Sequence, residues 1–250
     1  MEVLEGRVCA LAALRAGRRK FEAVLVRQGI RDDSIREILE AAAAQGVPVR
    51  RVREQALEAY AHGKTHGGIL VLASPLPPAS LPANPDFLLL LDGVDDARNL
   101  GFTLRSAEAF GVQGVILRRR AWDFDGGDVS RASSGAYERI PVVVGESFPE
   151  GLALVGCAAG AHRTIYEEDL CRPLVLAIGG EKRGLSAALR DRCDALVSIP
   201  TKEGAPSLSL SHAAAVAMAE VARQRRSGGS GAVPPQGTPA HRSRNCASRP

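Results

Sequence analysis

Residues 87–101 read Phe87-Leu88-Leu89-Leu90-Leu91-Asp92-Gly93-Val94-Asp95-Asp96-Ala97-Arg98-Asn99-Leu100-Gly101. The first five are apolar without alternation, the pattern of a strand buried on both faces of a sheet. A helix over about Asn99–Phe110 follows, with Asn99 as a good N-cap and Gly101 admitting another backbone closely. Strand and helix patterns then alternate along the chain. Strands fall at Gly114–Leu117, Pro141–Val144, Leu152–Cys157, Pro173–Ile178 and Ala195–Ile199, with helices near Ser186–Arg192 and Leu210–Gln224. This order predicts an α/β protein with an open parallel sheet and crossover helices. One link, Gly145–Gly151, is shorter than the roughly twelve residues of a parallel crossover. Either Pro141–Val144 does not neighbour the next strand, or a helix is missing there.

Toward the N-terminus, Ser74–Pro85 holds five prolines in twelve residues, a stiff extended linker. Before it, residues 1–74 predict a small mixed α/β unit. Its strands are Phe21–Arg27, Val47–Val52 and Gly68–Ala73. A helix runs from Asp32 or Asp33 through Gln45, with Ile35, Ile38, Leu39 and Ala42 on one face, and another lies near Glu54–Ala61. After Arg226 periodicity vanishes, which predicts a disordered tail. The expected divisions are 1–74, 75–85, 86–226 and 227–250.

The 250 residues are 45% hydrophobic and 24% charged, an ordinary globular composition that excludes a fibrous or wholly disordered chain. No apolar run approaches the roughly 20 residues of a membrane helix. The start Met1-Glu2-Val3-Leu4-Glu5 is acidic and unlike a signal peptide, so a cytoplasmic protein is expected. Five scattered cysteines without a CxxC pair indicate neither a zinc site nor a disulfide framework. The net charge of +4 is unevenly placed: residues 221–250 carry six Arg and no acid, and residues 1–74 carry twelve basic against nine acidic groups. Peripheral basic elements of this kind fit a polyanion partner, or serve only solubility.

In sheets of this type ligands bind beyond the C-terminal strand ends. Three such ends are rich in glycine and polar residues. Asp92–Gly101 opens the helix that carries Arg105. Gly179-Gly180-Glu181-Lys182-Arg183-Gly184 follows a buried strand and is neither a P-loop nor GxGxxG. Ile199–Ser211 gathers hydroxyls at the start of the last helix, where Ser209 or Ser211 can cap or the helix N-terminus can meet a polar group.

Together the three segments resemble the SpoU (TrmH) family of RNA ribose 2′-O-methyltransferases, within the SPOUT class. The motif N-x-G-x-x-x-R with a downstream F-G is matched by Asn99, Gly101, Arg105, Phe110 and Gly111. The motif G-x-E-x-x-G-L is matched by Gly179, Glu181, Gly184 and Leu185, and I-P…S-L-N-V-S by Ile199, Pro200, Ser207, Leu208 and Ser211. Ser133-Ser134-Gly135-Ala136-Tyr137-Glu138 resembles another family segment. Residues 1–74, with the turn Gly63-Lys64-Thr65-His66-Gly67-Gly68, resemble the substrate-binding domain of the branch that modifies large-subunit ribosomal RNA.

The resemblance implies a SPOUT-type parallel sheet with a C-terminal trefoil knot, preceded by a small α/β domain of ribosomal-protein-like fold. It implies S-adenosyl-L-methionine (AdoMet) as cofactor, no metal, a homodimer, and RNA as substrate. A guanosine of 23S rRNA is the specific expectation; tRNA methylation and an RNA-binding member of weakened activity are the alternatives. Membrane and DNA partners are not expected. By carry-over, Gly179, Ile199, Leu208 and Ser209 are the cofactor residues, and Arg105, Asn99, Glu181 and Ser207 the catalytic ones. Arg105 is a poor base, since its pKa exceeds about 12, so binding phosphate or orienting the hydroxyl is an equal reading of it. The chain departs from the family at Ser209, where the motif has Asn, at Thr201, where Met is usual, and at Glu203, where Gly is usual. His66 reads as a structural or RNA-adjacent residue, and Arg118-Arg119-Arg120 as a solvated loop or a phosphate contact. Trp122 beside Asp123, Asp125 and Asp128 is a poor base-stacking group.

Overall fold

The structure is a computed structural model that describes residues 1–63, 66–118 and 124–228. In its N-terminal part the elements are β1 (Glu2–Glu5), α1 (Arg7–Ala16), β2 (Phe21–Arg27), α2 (Arg36–Ala44), β3 (Val49–Val52), α3 (Glu54–Glu58) and β4 (Ile69–Ala73). They form a four-stranded sheet of order β1-β4-β2-β3, antiparallel except for the β2–β3 pair. Alternate residues of a strand face opposite sides, so Val24, Val26, Ile69 and Val71 point to one face and bury against Leu14 and Ile38 from the two longer helices. The pattern of strands read from sequence lacked β1 and α1. A four-residue strand with Glu at both ends looks like surface until its partner β4 is known. Asp32 and Asp33 do not cap α2: they lie in a 3₁₀ turn, Asp32–Ile35, that precedes it. The third helix ends at Glu58, short of Ala61.

The second sheet is built from β5 (Phe87–Asp92), α4 (Ala97–Ala109), β6 (Gly114–Leu117), α5 (Gly126–Ala132), β7 (Val142–Val144), β8 (Ala153–Cys157), β9 (Arg163–Thr164), β10 (Leu174–Gly179), α6 (Ala187–Arg190), β11 (Ala195–Ser198) and α7 (Leu210–Gly228). All its pairings are parallel, in the order β7-β6-β5-β10-β8-β11-β9. Both faces of β5 are covered. Phe87, Leu89 and Leu91 pack with Leu104 of α4 and Met218 of α7, and Leu88 and Leu90 with Leu185 and Leu189 on the other side. That is why the run shows no alternation. The short Gly145–Gly151 link is resolved by the strand order: β7 is the outer neighbour of β6, and β8 lies across the sheet between β10 and β11. The two strands are not neighbours. The segment between the sheets forms neither helix nor strand, but its Leu81 packs on the second core. The last helix runs on through Ser227 and Gly228, two residues into the expected tail. The rest of that tail, with Lys64, Thr65, Arg119, Arg120, Trp122 and Asp123, lies outside the described residues.

A buried charge cluster joins the two sheets. Arg19 follows α1, and its side chain has no solvent exposure. It donates to both carboxylate oxygens of Glu138 at 2.8 Å, to Glu2 Oε2 at 2.5 Å and to the Ser74 carbonyl at 2.8 Å. Burial works against the charge, but the hydrogen bonds and charges of Glu138 and Glu2 outweigh it and raise the Arg19 pKa. Nearby, Glu5 accepts from Arg131 Nη1 at 2.8 Å and from the His62 backbone N–H at 2.5 Å. Gly127 at the start of α5 lies so close to β1 that an added Cβ would overlap the Val3 carbonyl. Glu138 belongs to the segment Ser133–Glu138, so the signal in the sequence there marks an anchoring residue.

Candidate active site

Parallel strands β5 and β10 end side by side, with Asp92 paired to Gly179. The chain beyond β10 folds back on itself: Gly180 N–H donates to the Asp92 carbonyl at 2.8 Å, and Gly180 and Gly184 form a bridge. A Cβ on Gly179 would overlap the backbone of Gly184 and Leu185, so this return requires glycine. The loop is braced from below by the Asp92 carboxylate, which accepts from Ser186 N–H at 2.8 Å and pairs with Arg118 at 3.2 Å. Arg118 also donates to Ser186 Oγ at 2.5 Å and to Glu146 at 2.9 Å. It is thus an internal brace, neither a solvated loop residue nor a free phosphate contact.

Beside this loop lies a cavity of about 360 Å³. Of the residues the sequence pointed to, Gly179, Ile199, Leu208 and Ser207 line it, together with Thr201. Arg183, Gly184 and Leu185 of the second loop also line it, as do Cys157 and Arg190, which were not anticipated. Burial, with the nearby Cys193 adding to it, pushes the Cys157 thiol up to about 12, so it is an uncharged part of the wall.

Polar residues from all three loops meet next to the cavity. Asn99 Nδ2 donates to Glu181 Oε1 at 2.9 Å, and the Leu210 backbone N–H reaches the same oxygen at 3.3 Å. Ser211 Oγ donates to Asn99 Oδ1 at 3.0 Å. Ser209 Oγ stands 3.1 Å from Ser211 Oγ and 2.6 Å from His212 Nδ1. Asn99 is not the N-cap of α4. Asp96 takes that role, its Oδ1 accepting from Arg98 and Asn99 N–H at 2.7 and 2.9 Å, which leaves the Asn99 carboxamide for Glu181. Close approach at Gly101 is real: a Cβ there would overlap Ala132 of α5. Arg105, nearly two turns further along α4, is exposed and makes no side-chain hydrogen bond or ion pair among the described residues. Ser209 enters the polar chain and is absent from the cavity wall. His212 was overlooked, although its spacing of three from Ser209 in a first helical turn puts the two side chains on one face. His66 is buried and its Nδ1 accepts from Gly68 N–H at 3.0 Å, a turn-forming role. Among the described residues no group of three His, Cys, Asp or Glu is placed to hold a metal, and no helix is long and apolar enough to cross a membrane.

Comparison with known proteins agrees with this geometry. Residues 86–219 match the SpoU rRNA Methylase family, and residues 3–79 match the RNA 2′-O ribose methyltransferase substrate binding family. The chain is 30% identical to the 23S rRNA (guanosine-2′-O-)-methyltransferase RlmB of Escherichia coli, over 90% of this chain and 99% of that protein. It is 34% identical to an uncharacterized tRNA/rRNA methyltransferase of Mycolicibacterium vanbaalenii, over 90% of this chain and 77% of the relative. The crystal structure of the SpoU methyltransferase AviRb from Streptomyces viridochromogenes superposes with a TM-score of 0.77 at 27% identity, covering 91% of this chain and 90% of that one. The same enzyme in complex with the cofactor AdoMet gives a TM-score of 0.77 at 25% identity, covering 90% and 91%. The three motif loops, the cavity beside them and the matches over both sheets lead to one assignment: this chain belongs to the SpoU rRNA methylase family.

Proposed function

We propose that the protein methylates a ribose 2′-OH of ribosomal RNA in the cytoplasm, using AdoMet, with a guanosine of 23S rRNA as the specific target. The observation that carries this reading is the closure of Glu181, Asn99 and Ser211 across three loops beside the cavity. The cavity suits the cofactor. Its volume falls in the range of small-molecule sites, its walls Ile199 and Leu208 are apolar, and at Gly179 only backbone faces the bound group. Gly179, Ile199 and Leu208 would hold AdoMet, with Ser209 acting from behind Leu208. When bound, AdoMet supplies a methyl group on a sulfonium, a good leaving group. What the protein must add is alignment of the ribose oxygen and removal of its proton. Exposed Arg105 binds a phosphate or orients the hydroxyl, Asn99 and Glu181 fix the loops around the ribose, and Ser207 contacts the nucleotide from the cavity wall.

Residues 1–74 are read as the RNA-holding domain, of ribosomal-protein-like fold, joined by 75–85 to the catalytic domain 86–226. Their excess of basic residues and the match over 3–79 support this, and the end-to-end match to an enzyme of 23S rRNA favours rRNA over tRNA. The segment from β10 to α7 is read as a trefoil knot; α7 returns to pack on β10 and α4 after β11 has crossed beyond β8. A homodimer is supported by exposed Phe102 on α4 and Val216 on α7. The test is transfer of labelled methyl from AdoMet to unmodified 23S rRNA, 16S rRNA and bulk tRNA, for wild type and Arg105→Ala. Label in 23S rRNA that the variant loses is the expected result. Label in tRNA alone would overturn the rRNA assignment, and no label from folded protein that binds AdoMet would favour an RNA-binding role.

A further inference from the structure

The cavity beside the three loops has two unlike sides. Cys157, Ile178, Ile199 and Ala213 line it from the face of the sheet that α7 covers, and all four belong to or pack on the core there. Ala158 and Leu185 line it from the opposite face, where α6 lies, and belong to the second core. That side also carries two arginines, Arg183 from the turn after β10 and Arg190 at the end of α6. Their backbones are fixed. Gly184, next to Arg183, has a φ of +61° and donates its N–H to the Gly180 carbonyl at 2.8 Å, which closes the turn. Leu189, next to Arg190, is buried in the core beneath α6. Their guanidiniums are unengaged: both residues are exposed, and neither side chain makes a hydrogen bond or ion pair among the described residues. No Asp or Glu among the described residues lines the cavity, so its wall is neutral and mostly apolar toward α7 and doubly positive toward α6.

Such a wall calls for a ligand that is flat and apolar at one end and anionic at the other. AdoMet has one anionic group, the carboxylate of its methionine tail, while its sulfonium and ammonium are cations and its adenine is a flat ring. We propose that Arg183 and Arg190 form a clamp for that carboxylate, fixing the methionine tail on the α6 side of the cavity and leaving the apolar side to adenine; the inference rests on the AdoMet-dependent reading above. Guanidinium suits the task, because its planar fork matches a carboxylate and its hydrogen bonds to one are charge-assisted. A cofactor held at both ends has little freedom to turn the sulfur between them, so the clamp also orients the methyl group toward the ribose. It selects against nucleosides that share the adenosine and lack the tail, since these would leave two cations without a partner. Lys182 is the control that the fold supplies. It stands beside Arg183 in the same turn but does not line this cavity, facing instead a separate cleft that it shares with Asp95 and Arg183.

The experiment is a binding measurement that needs no turnover. Isothermal titration of the full chain compares AdoMet and S-adenosylhomocysteine with 5′-methylthioadenosine, which keeps the adenosine and the sulfur but has no amino-acid tail. Arg183→Ala and Arg190→Ala are each expected to weaken the two tailed ligands about tenfold, and the double variant about 100-fold. Binding of 5′-methylthioadenosine is expected to change less than about threefold in all of them, as is binding of AdoMet to Lys182→Ala. A double variant that holds AdoMet within about threefold of wild type would overturn the clamp. Should that variant also lose affinity for rRNA in filter binding, the two arginines hold phosphate instead. Equal loss of tailed and tailless ligands would overturn the clamp as well, because the arginines would then only support the wall. Wild type that binds neither AdoMet nor 5′-methylthioadenosine would overturn the AdoMet reading and the clamp with it.

Discussion

Two polar assemblies tie distant parts of this chain together, and they do so under opposite conditions. At the junction of the sheets, Arg19 and Glu138 are both wholly buried, and the guanidinium is held by two carboxylates and a carbonyl. At the cavity mouth, Glu181 and His212 are exposed, and Asn99 and Ser209 half-buried between them. Removing a buried partner strands a charge in a medium that cannot solvate it, whereas an exposed partner is replaced by water. The first assembly therefore serves the fold. The second leaves the Glu181 carboxylate and the His212 ring exposed at its two ends.

The largest test of this contrast is Arg19→Ala. It leaves Glu138 without its two hydrogen bonds and is expected to lower stability by about 3–5 kcal/mol, read from urea unfolding. Asn99→Ala cuts the other assembly in its middle. It is expected to lower stability by about 1–2 kcal/mol, less than Arg19→Ala, because water reaches exposed Glu181 but not the buried Ser211 hydroxyl, and to reduce methyl transfer to 23S rRNA about 100-fold through misplaced loops. Equal destabilisation by the two variants would break the contrast.

The smallest effect sharpens it from a third position, the surface pair Arg139–Glu108. The hydrogen bond from Arg139, against some burial, holds the Glu108 carboxyl below its ordinary value. A carboxyl depressed in the folded state adds stability that is complete above its unfolded pKa and is lost as pH falls through the folded value. Both side chains are more than a third exposed, so solvent screening keeps the gain below about 1 kcal/mol. Glu108→Gln is expected to lower the unfolding midpoint slightly at pH 7, with the difference from wild type vanishing on the acid side of the carboxylate range.

The cavity residues Gly179, Ile199, Leu208 and Ser207 were legible because each sits in a short motif directly after a strand, where local sequence and site coincide. The assemblies were less so. Asn99 looked like a helix cap because Asn is a good one, and only the backbone shows Asp96 in that place. Arg19 carries no mark in the sequence: its neighbours Arg18 and Lys20 are of the same charge, and its partner lies 119 residues away. Short β1 and β9 and glycine-led α5 were missed for a related reason. Each is stabilised by what it packs on, and its own periodicity is weak.

The sequence by itself determined the parallel sheet, the proline-rich segment without helix or strand, the small N-terminal sheet and the three loops whose polar side chains meet, since apolar runs, proline clusters and glycine turns act over a few residues. Tertiary structure alone decided the strand order that sends β7 and β8 to opposite sides of the sheet, the burial of Arg19, and the line from Glu181 to His212. These depend on side chains 82 to 119 residues apart meeting within hydrogen-bond distance. No local pattern encodes such meetings, because they follow from which strands lie side by side.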